Sequence, residues 1–259
     1  MLESFITVGV GIIIIRNSIF MGYEIGKLCQ CGLFMQKDND PLAPAALEQR
    51  DKEEQQRLFS PSAARNSAPI LDVIKHVLPK RGLALEIGCG TGEHVVSFGE
   101  SMPNLMWQPS DPDLGSRAST ASWIKFKGLN NVMAPLDIDV CSKNWGVEPL
   151  APFDAIVSIN MVHVAPWAAT LGLFAGAGRL LRDGAILYLY GPFMHDGVHN
   201  TSSNAAFDEA LKASNPSWGL RDISDLERVA GESGLRLTQI IEMPANNKSL
   251  VFSYASRLA

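Results

Sequence analysis

Excess positive charge is missing from this chain: 22 Lys and Arg stand against 27 Asp and Glu, a net charge of -5. A broad phosphate-binding surface needs the opposite balance, so no nucleic-acid partner is expected. Cysteine is scarce, with four in 259 residues. A secreted disulfide scaffold would be shorter and richer in it, and Cys29, Cys31, Cys89 and Cys141 lack the spacing of paired metal ligands. They read as reduced thiols of an intracellular protein, and no metal is expected. A long apolar run is also missing. The most apolar stretch, "FITVGVGIIII" at 5–15, ends at Arg16 and is about half the ~20 residues a spanning helix requires. No transmembrane span is expected. No Lys or Arg precedes that stretch, and the Arg and Ser bias of a transit peptide is absent, which gives a targeting role little support. Residues 1–34 are read as a hydrophobic extension, with a weak anchor or a packed strand as the other readings, and the working chain is expected to start near Met35. Localisation is then cytoplasmic, the alternative being organelle or membrane association through residues 1–34.

What is present is enough for one good-sized core, since 46% of the residues are hydrophobic. Residues 35–56, polar and charged, read as a linker and solvated helix ahead of a domain at 57–259. In "NSAPILDVIKHVLPKRG", Ser67 suits a cap, Pro69 a first turn, and Ile70, Ile74, Val77 and Leu78 one buried helical face. Strand and helix patterns then alternate: strand 83–87, helix 92–101, strand "LMWQPS", helix 116–127, strands "NVMAPLDI" and "DAIVSIN", helix 166–181 and strand "AILYLYG". Short buried strands between helices predict an α/β fold with a mostly parallel sheet covered on both faces. Helices near 203–213 and 224–232 follow, and "LRLTQIIEM" and "KSLVFSYAS" predict a closing antiparallel hairpin, with the Asn246-Asn247 pair of "PANN" taking the positive φ of its turn.

Ligands of such sheets bind beyond the carboxyl ends of the strands. The first of those ends reads "LALEIGCGTGEH", 83–94. A dinucleotide loop wants G-x-G-x-x-G, whereas here the glycines are Gly88, Gly90 and Gly92, Thr91 lies between the last two, and Glu93 stands where a third dinucleotide glycine would. Glu86 weighs more. A carboxylate at ~6 Å from a pyrophosphate would cost about 3 kcal/mol per charge pair at an effective dielectric near 20. The site therefore suits a cationic nucleoside, and S-adenosylmethionine carries both an amino group and a sulfonium. Asp111, nineteen residues after Gly92, is expected to accept the ribose hydroxyls, against the reading that it only forms the turn of "SDPD" and that Asp113 takes its place. In "LDID" one of Asp137 and Asp139 is expected to take the adenine amino group, and Asp139 is preferred. Asn160 ends the fourth strand, where it touches cofactor or substrate or else satisfies a bend.

These residues, from "LEIGCGTGEH" through "FDAIVSIN" to the closing hairpin, resemble class I S-adenosylmethionine-dependent methyltransferases over roughly residues 57–255. The resemblance implies a Rossmann-like seven-stranded sheet with its last strand antiparallel. More narrowly, "RLFSPSAARNSAPIL", "WQPSDPD", "NMVHVAPW", "YGPF", "SNAAFD", "WGLRD" and "MPANNKSLVF" resemble the methyltransferase-like 26 family, which implies a fold and a cofactor, S-adenosyl-L-methionine, but no substrate.

Methyl transfer is an in-line displacement at an activated carbon, so alignment supplies most of the acceleration and a base is optional. If the acceptor must lose a proton, His163 is the best-placed imidazole, against the reading that it bonds within its own loop. Tyr190 and Phe193 of "YGPF" are expected to shape an acceptor pocket. Arg65 with Asn66, and Arg221 with Asp222, pair a fork for a carboxylate acceptor with a polar neighbour, although Arg221 and Asp222 serve equally well at helix ends. His195 and His199 read as loop histidines. The expected activity is methylation of a small-molecule acceptor; the competing readings are an inactive cofactor-binding protein working through partners and a nicotinamide-dependent oxidoreductase.

Overall fold

The computed structural model describes residues 54–255, all within one compact unit of the chain. The extension at 1–34 and all but the last turn of the segment at 35–56 lie outside the described residues. Among the described residues no helix is long and apolar enough to cross a membrane.

Helix α1 (Pro61–Val77) opens the domain. Its cap is Ser60, whose hydroxyl accepts from the Ala63 amide, and Pro61 sits at N1, where a missing N–H costs nothing. The expected start at Ser67 and Pro69 is therefore corrected. Pro69 lies inside the helix, because Ser60-Pro61 supplies the same pair of signals about two turns earlier.

The central sheet is built from β1 (Gly82–Ile87), β2 (Leu105–Ser110), β3 (Phe153–Ile159), β4 (Leu181–Gly191), β8 (Leu235–Met243) and β9 (Asn247–Tyr254), in the order β2-β1-β3-β4-β9-β8. The first four run parallel, and β9 and β8 close the edge antiparallel. Between them lie α2 (Glu93–Ser101), α3 (Leu114–Lys127), α4 (Trp167–Leu180), α5 (Ser202–Ser214) and α6 (Ile223–Glu232). A small second sheet of β5 (Phe193–His195), β6 (Val198–His199) and β7 (Arg221–Asp222), ordered β6-β5-β7, was not foreseen from the sequence pattern. Its strands are two or three residues long, too short to show a period.

Side-chain alternation divides the core between the two faces. Ala84, Val157 and Tyr188 join Ile70, Ile74, Val95 and Phe98 under α1 and α2. Leu85, Ile87, Ile156 and Leu187 join Leu173, Phe174, Leu226 and Val229 under α4 and α6. Period two places Glu86 on the first face, below α1 and α2.

The expected strand "NVMAPLDI" is the chief departure. Residues 131–138 run beside β2 but form only two isolated parallel bridges, Trp107 with Val132 and Ser110 with Leu136. The reason is local. Pro109 in β2 has no amide to donate, so between Met133 N→Trp107 O and Leu136 N→Pro109 O one rung is missing. The buried Gln108 side chain fills in, donating from Nε2 to the Ala134 carbonyl at 2.8 Å and to the Pro109 carbonyl at 3.0 Å. Gln108→Leu is expected to cost about 1–3 kcal/mol by leaving the Ala134 carbonyl unpaired. A lowered urea midpoint with an unchanged denaturant slope checks it.

Candidate functional site

The carboxyl ends of β1, β2 and β3 are held open by hydroxyls rather than by further ladder. Ser110 donates to the Glu86 carbonyl at 2.7 Å and Ser158 to the Ile87 carbonyl at 3.0 Å. The chain then turns through Gly88, Gly90 and Gly92 with φ of 75°, 53° and 86°. That left-handed sequence is open to glycine at little cost. Gly88 and Cys89 both donate to the Ser110 carbonyl, which folds the loop back over β2.

Glu86 is 1% exposed, and its Oε2 has no hydrogen-bond partner. Burial, reinforced by the charge of Asp111, pushes its carboxyl up to about 8. A buried carboxyl beside a second acid holds its proton unless a positive charge meets it. Asp111 is drawn into the loop itself: Oδ2 accepts the Gly90 amide at 2.9 Å and Oδ1 the Asp113 amide at 2.9 Å. Each oxygen keeps a second lone pair. Asp113 is committed elsewhere, capping α3 by accepting from the Ser116 amide at 2.7 Å.

Thr91 and Glu93 join this loop to α1. Glu93 Oε2 accepts the Thr91 hydroxyl at 2.9 Å and the Ser60 amide at 2.6 Å. The segment before α1 is pinned on α3: the Leu58 amide donates to Ser119 Oγ at 2.8 Å, and Trp123 Nε1 donates to the Leu58 carbonyl at 3.1 Å. Asp137 and Asp139 are both exposed. Asp137 pairs with Arg117 at 3.1 Å, and Asp139 Oδ1 accepts the Cys141 amide at 2.9 Å. Asn160 sits at φ 59°, its amide bonded to the Tyr190 carbonyl at 2.8 Å.

Beside Asn160 opens a cleft of about 920 Å³ between α1, the end of β4, α5 and the β8–β9 turn. Arg65, Asn66, His163 and Tyr190 line it, so four of the residues expected near an acceptor meet there. His163 is 1% exposed, its two ring nitrogens have no partner, and burial first, then Arg221, pushes its imidazole down to about 3. It is a neutral ring packed edge-on against Phe193, 4.8 Å between centroids.

Two expectations are corrected. Phe193 is fully buried beneath His163 and does not line the cleft; as the first residue of β5 it points inward. Arg221 is turned away from the cleft. Its guanidinium donates to the backbone carbonyls of Val162, at 2.8 Å, and of Ala165, and lies over the Trp167 ring. It locks the loop that carries His163. Asp222 caps α6 through the Ser224 amide at 2.9 Å, the helix-end role weighed for it. His199 pairs with Asp208 at 3.0 Å and His195 is exposed; among the described residues no group of three His, Cys, Asp or Glu is placed to hold a metal ion.

Sequence reasoning missed three contributors. His94, directly after Glu93, hydrogen-bonds Asn66 Oδ1 through Nε2 at 2.8 Å, and Asn66 in turn bonds the Tyr190 hydroxyl. The β8–β9 turn lines the cleft with Pro244, Ala245 and Asn246, and its positive φ falls on Ala245 and Asn246 rather than on the Asn246-Asn247 pair. Helix α5 adds Asn204 and Phe207. The Asn204 amide donates to Asn200 Oδ1 at 2.7 Å and to the Asn246 carbonyl at 3.0 Å, tying α5 to the turn. No periodicity marks such residues; only the fold brings them together.

Solved structures share this architecture. An O-methyltransferase family protein from Burkholderia thailandensis matches with a TM-score of 0.64 at 16% identity, over 80% of this chain and 60% of that one. A putative O-methyltransferase from Nostoc punctiforme PCC 73102 matches with a TM-score of 0.65 at 14% identity, over 78% and 59%. CalO1, a methyltransferase in calicheamicin biosynthesis solved in its SAH-bound form, matches with a TM-score of 0.59 at 14% identity, over 73% and 54%. The chain thus spans about 60% of the length of the first of these proteins. The shared fold is the Rossmann-like methyltransferase fold, with a mostly parallel sheet, an antiparallel edge and helices on both faces. A family model described as "Protein of unknown function (DUF938)" matches residues 57–254, and the chain belongs to that family.

Proposed function

We propose that the protein is an S-adenosylmethionine-dependent methyltransferase that moves a methyl group onto a small-molecule acceptor by in-line displacement. One observation carries this reading: the buried Glu86 carboxyl, with an unpartnered oxygen, stands at the tip of β1 beside a loop of left-handed glycines. A ligand ammonium that displaces the Glu86 proton gains a desolvated carboxylate, whereas a phosphate brings no charge to match it. Gly88, Gly90, Thr91, Gly92 and Asp111 would frame the nucleoside, with Asp139 and Asn160 toward adenine and the methyl group. The cofactor supplies the activated methyl. The chain's own part is to orient it and to exclude water, which suits a barrier lowered chiefly by alignment.

The acceptor would occupy the cleft lined by Arg65, Asn66 and Tyr190. The small-molecule character is supported by a bounded cleft and by the acidic net charge; the narrower likeness to the methyltransferase-like 26 family agrees with the cofactor and is silent on the acceptor. His163, a neutral and weakly basic ring, acts in this scheme as a wall of the cleft and as the base only for an acidic acceptor.

Thermal unfolding with S-adenosylmethionine, S-adenosylhomocysteine and NAD tests the cofactor. At a hundred times the dissociation constant a specific ligand adds about 2.7 kcal/mol, on the order of 5–10 °C for a domain of this size. The sulfonium compound and its product are expected to raise the midpoint and NAD to leave it unchanged. The reverse pattern would overturn the reading. Transfer of isotopic methyl to fractionated metabolites, rather than to RNA or protein, checks the acceptor class.

A further inference from the structure

Within the cleft, charge is distributed unevenly. Arg65 contributes a guanidinium, and among the described residues that line the cleft none carries a carboxylate. Arg65 itself is exposed and makes one long contact, 3.4 Å from its Nη2 to Ser62 Oγ. Among the described residues no ion pair engages it, so its donors remain for something else.

Tyr190 adds a second donor, backed by His94 and Asn66. Burial pushes the His94 imidazole down to about 4, so the ring is neutral. The partner of His94 Nε2 is an amide oxygen, Asn66 Oδ1, which only accepts. Nε2 therefore carries the proton. Burial raises the Tyr190 phenol above its ordinary range, and a hydrogen bond with the Asn66 side chain offsets part of that rise. The Tyr190 side chain borders the cleft, where its O–H can donate. His94 and Asn66 stand behind Tyr190 at the cleft wall.

Resting on the methyltransferase reading, the geometry points to a small oxyanion, a carboxylate or an ionised phenol, as the acceptor class, seated between the Arg65 guanidinium and the Tyr190 hydroxyl. The chemistry closes without a base. The S–CH3 bond of the sulfonium breaks and its electron pair stays on sulfur; a lone pair of the ionised oxygen forms the new O–CH3 bond. One cation and one anion become two neutral groups, and no proton is released. Arg65 and Tyr190 select and hold the oxyanion, and Asn66 and His94 are positioning residues that act through Tyr190.

A matched series of benzoate, benzamide and benzylamine, titrated into the full chain saturated with S-adenosylhomocysteine and followed by calorimetry, tests this. Benzoate is expected to bind at least tenfold more tightly than either the neutral benzamide or the cationic benzylamine. Arg65→Gln should abolish that preference, Arg65→Lys should retain most of it, and Tyr190→Phe should weaken benzoate severalfold while leaving benzamide unchanged. Equal binding of the three probes, no binding of benzoate, or a preference that survives Arg65→Gln would overturn the inference. The thermal shift with S-adenosylhomocysteine separates the two levels. Its absence sinks the methyltransferase reading, whereas a shift without oxyanion preference sinks the acceptor class alone.

Discussion

Replacing Glu86 by glutamine is expected to stabilise the domain and to abolish cofactor binding in the same protein. The carboxyl of Glu86 is raised from 4.5 to about 8, first by burial and second by the charge of Asp111. The folded state therefore holds this proton more tightly than the unfolded chain does. Its contribution to stability is fully present below pH 4.5 and drains away as pH rises toward 8. At pH 7.5 folding must recapture a proton that the unfolded chain has lost, at a cost of roughly 4 kcal/mol. Glutamine has no such proton, so the Tm at pH 7.5 is expected to rise on the order of 10 °C, with the difference vanishing near pH 4. Binding responds in the opposite sense. A cationic ligand needs the ionised carboxylate and must expel the proton, so affinity for S-adenosylmethionine should fall about tenfold per pH unit below pH 8. Titration calorimetry in buffers of different ionisation enthalpy reads the released proton directly. A destabilised Glu86→Gln, or a pH-independent affinity, would show that this carboxyl does not face the ligand.

The second large effect separates two glycines that look alike in the sequence. A Cβ on Gly92 would lie 2.7 Å from the Thr120 Cα and 2.6 Å from its Oγ1, at a φ of +86°. The obstruction is α3 backbone, which cannot swing aside. Left-handed backbone costs an alanine 1–2 kcal/mol and forced packing adds 1–3, so Gly92→Ala should lose about 3 kcal/mol and drop the Tm by on the order of 10 °C. Gly90, at +53°, meets nothing within 4 Å. Gly90→Ala should cost only about 1 kcal/mol in stability yet weaken S-adenosylmethionine by tenfold or more, because its methyl projects from the turn that is expected to frame the nucleoside. Urea unfolding and calorimetry on both variants give the two quantities. Equal losses of stability would refute the distinction.

The alternation of strands and helices was legible because it is local. Strands β2 and β8 fall where their apolar patterns begin and end, and α2 through α6 start within two residues of their expected positions. What escaped was non-local or broken by proline. Pro109 and Pro135 turn the expected third strand into a bridged edge, and the side chain that repairs it, Gln108, lies on the neighbouring strand. Arg221 illustrates the same limit at the site. A guanidinium reads as an anion fork from its neighbours in sequence, but its partners, Val162 and Ala165, are more than fifty positions away.

From residue order alone followed the α/β class, the acid at the tip of the first strand and the glycine turn after it. Each depends on periods of two and 3.6 and on backbone freedom within a few residues. Only tertiary structure decided that Arg65, Asn66, His163 and Tyr190 share one cleft, that Phe193 and Arg221 do not, and that His94 stands behind Asn66. Those outcomes turn on which side chains from different strands and helices come within hydrogen-bond reach, and no local spacing records that distance.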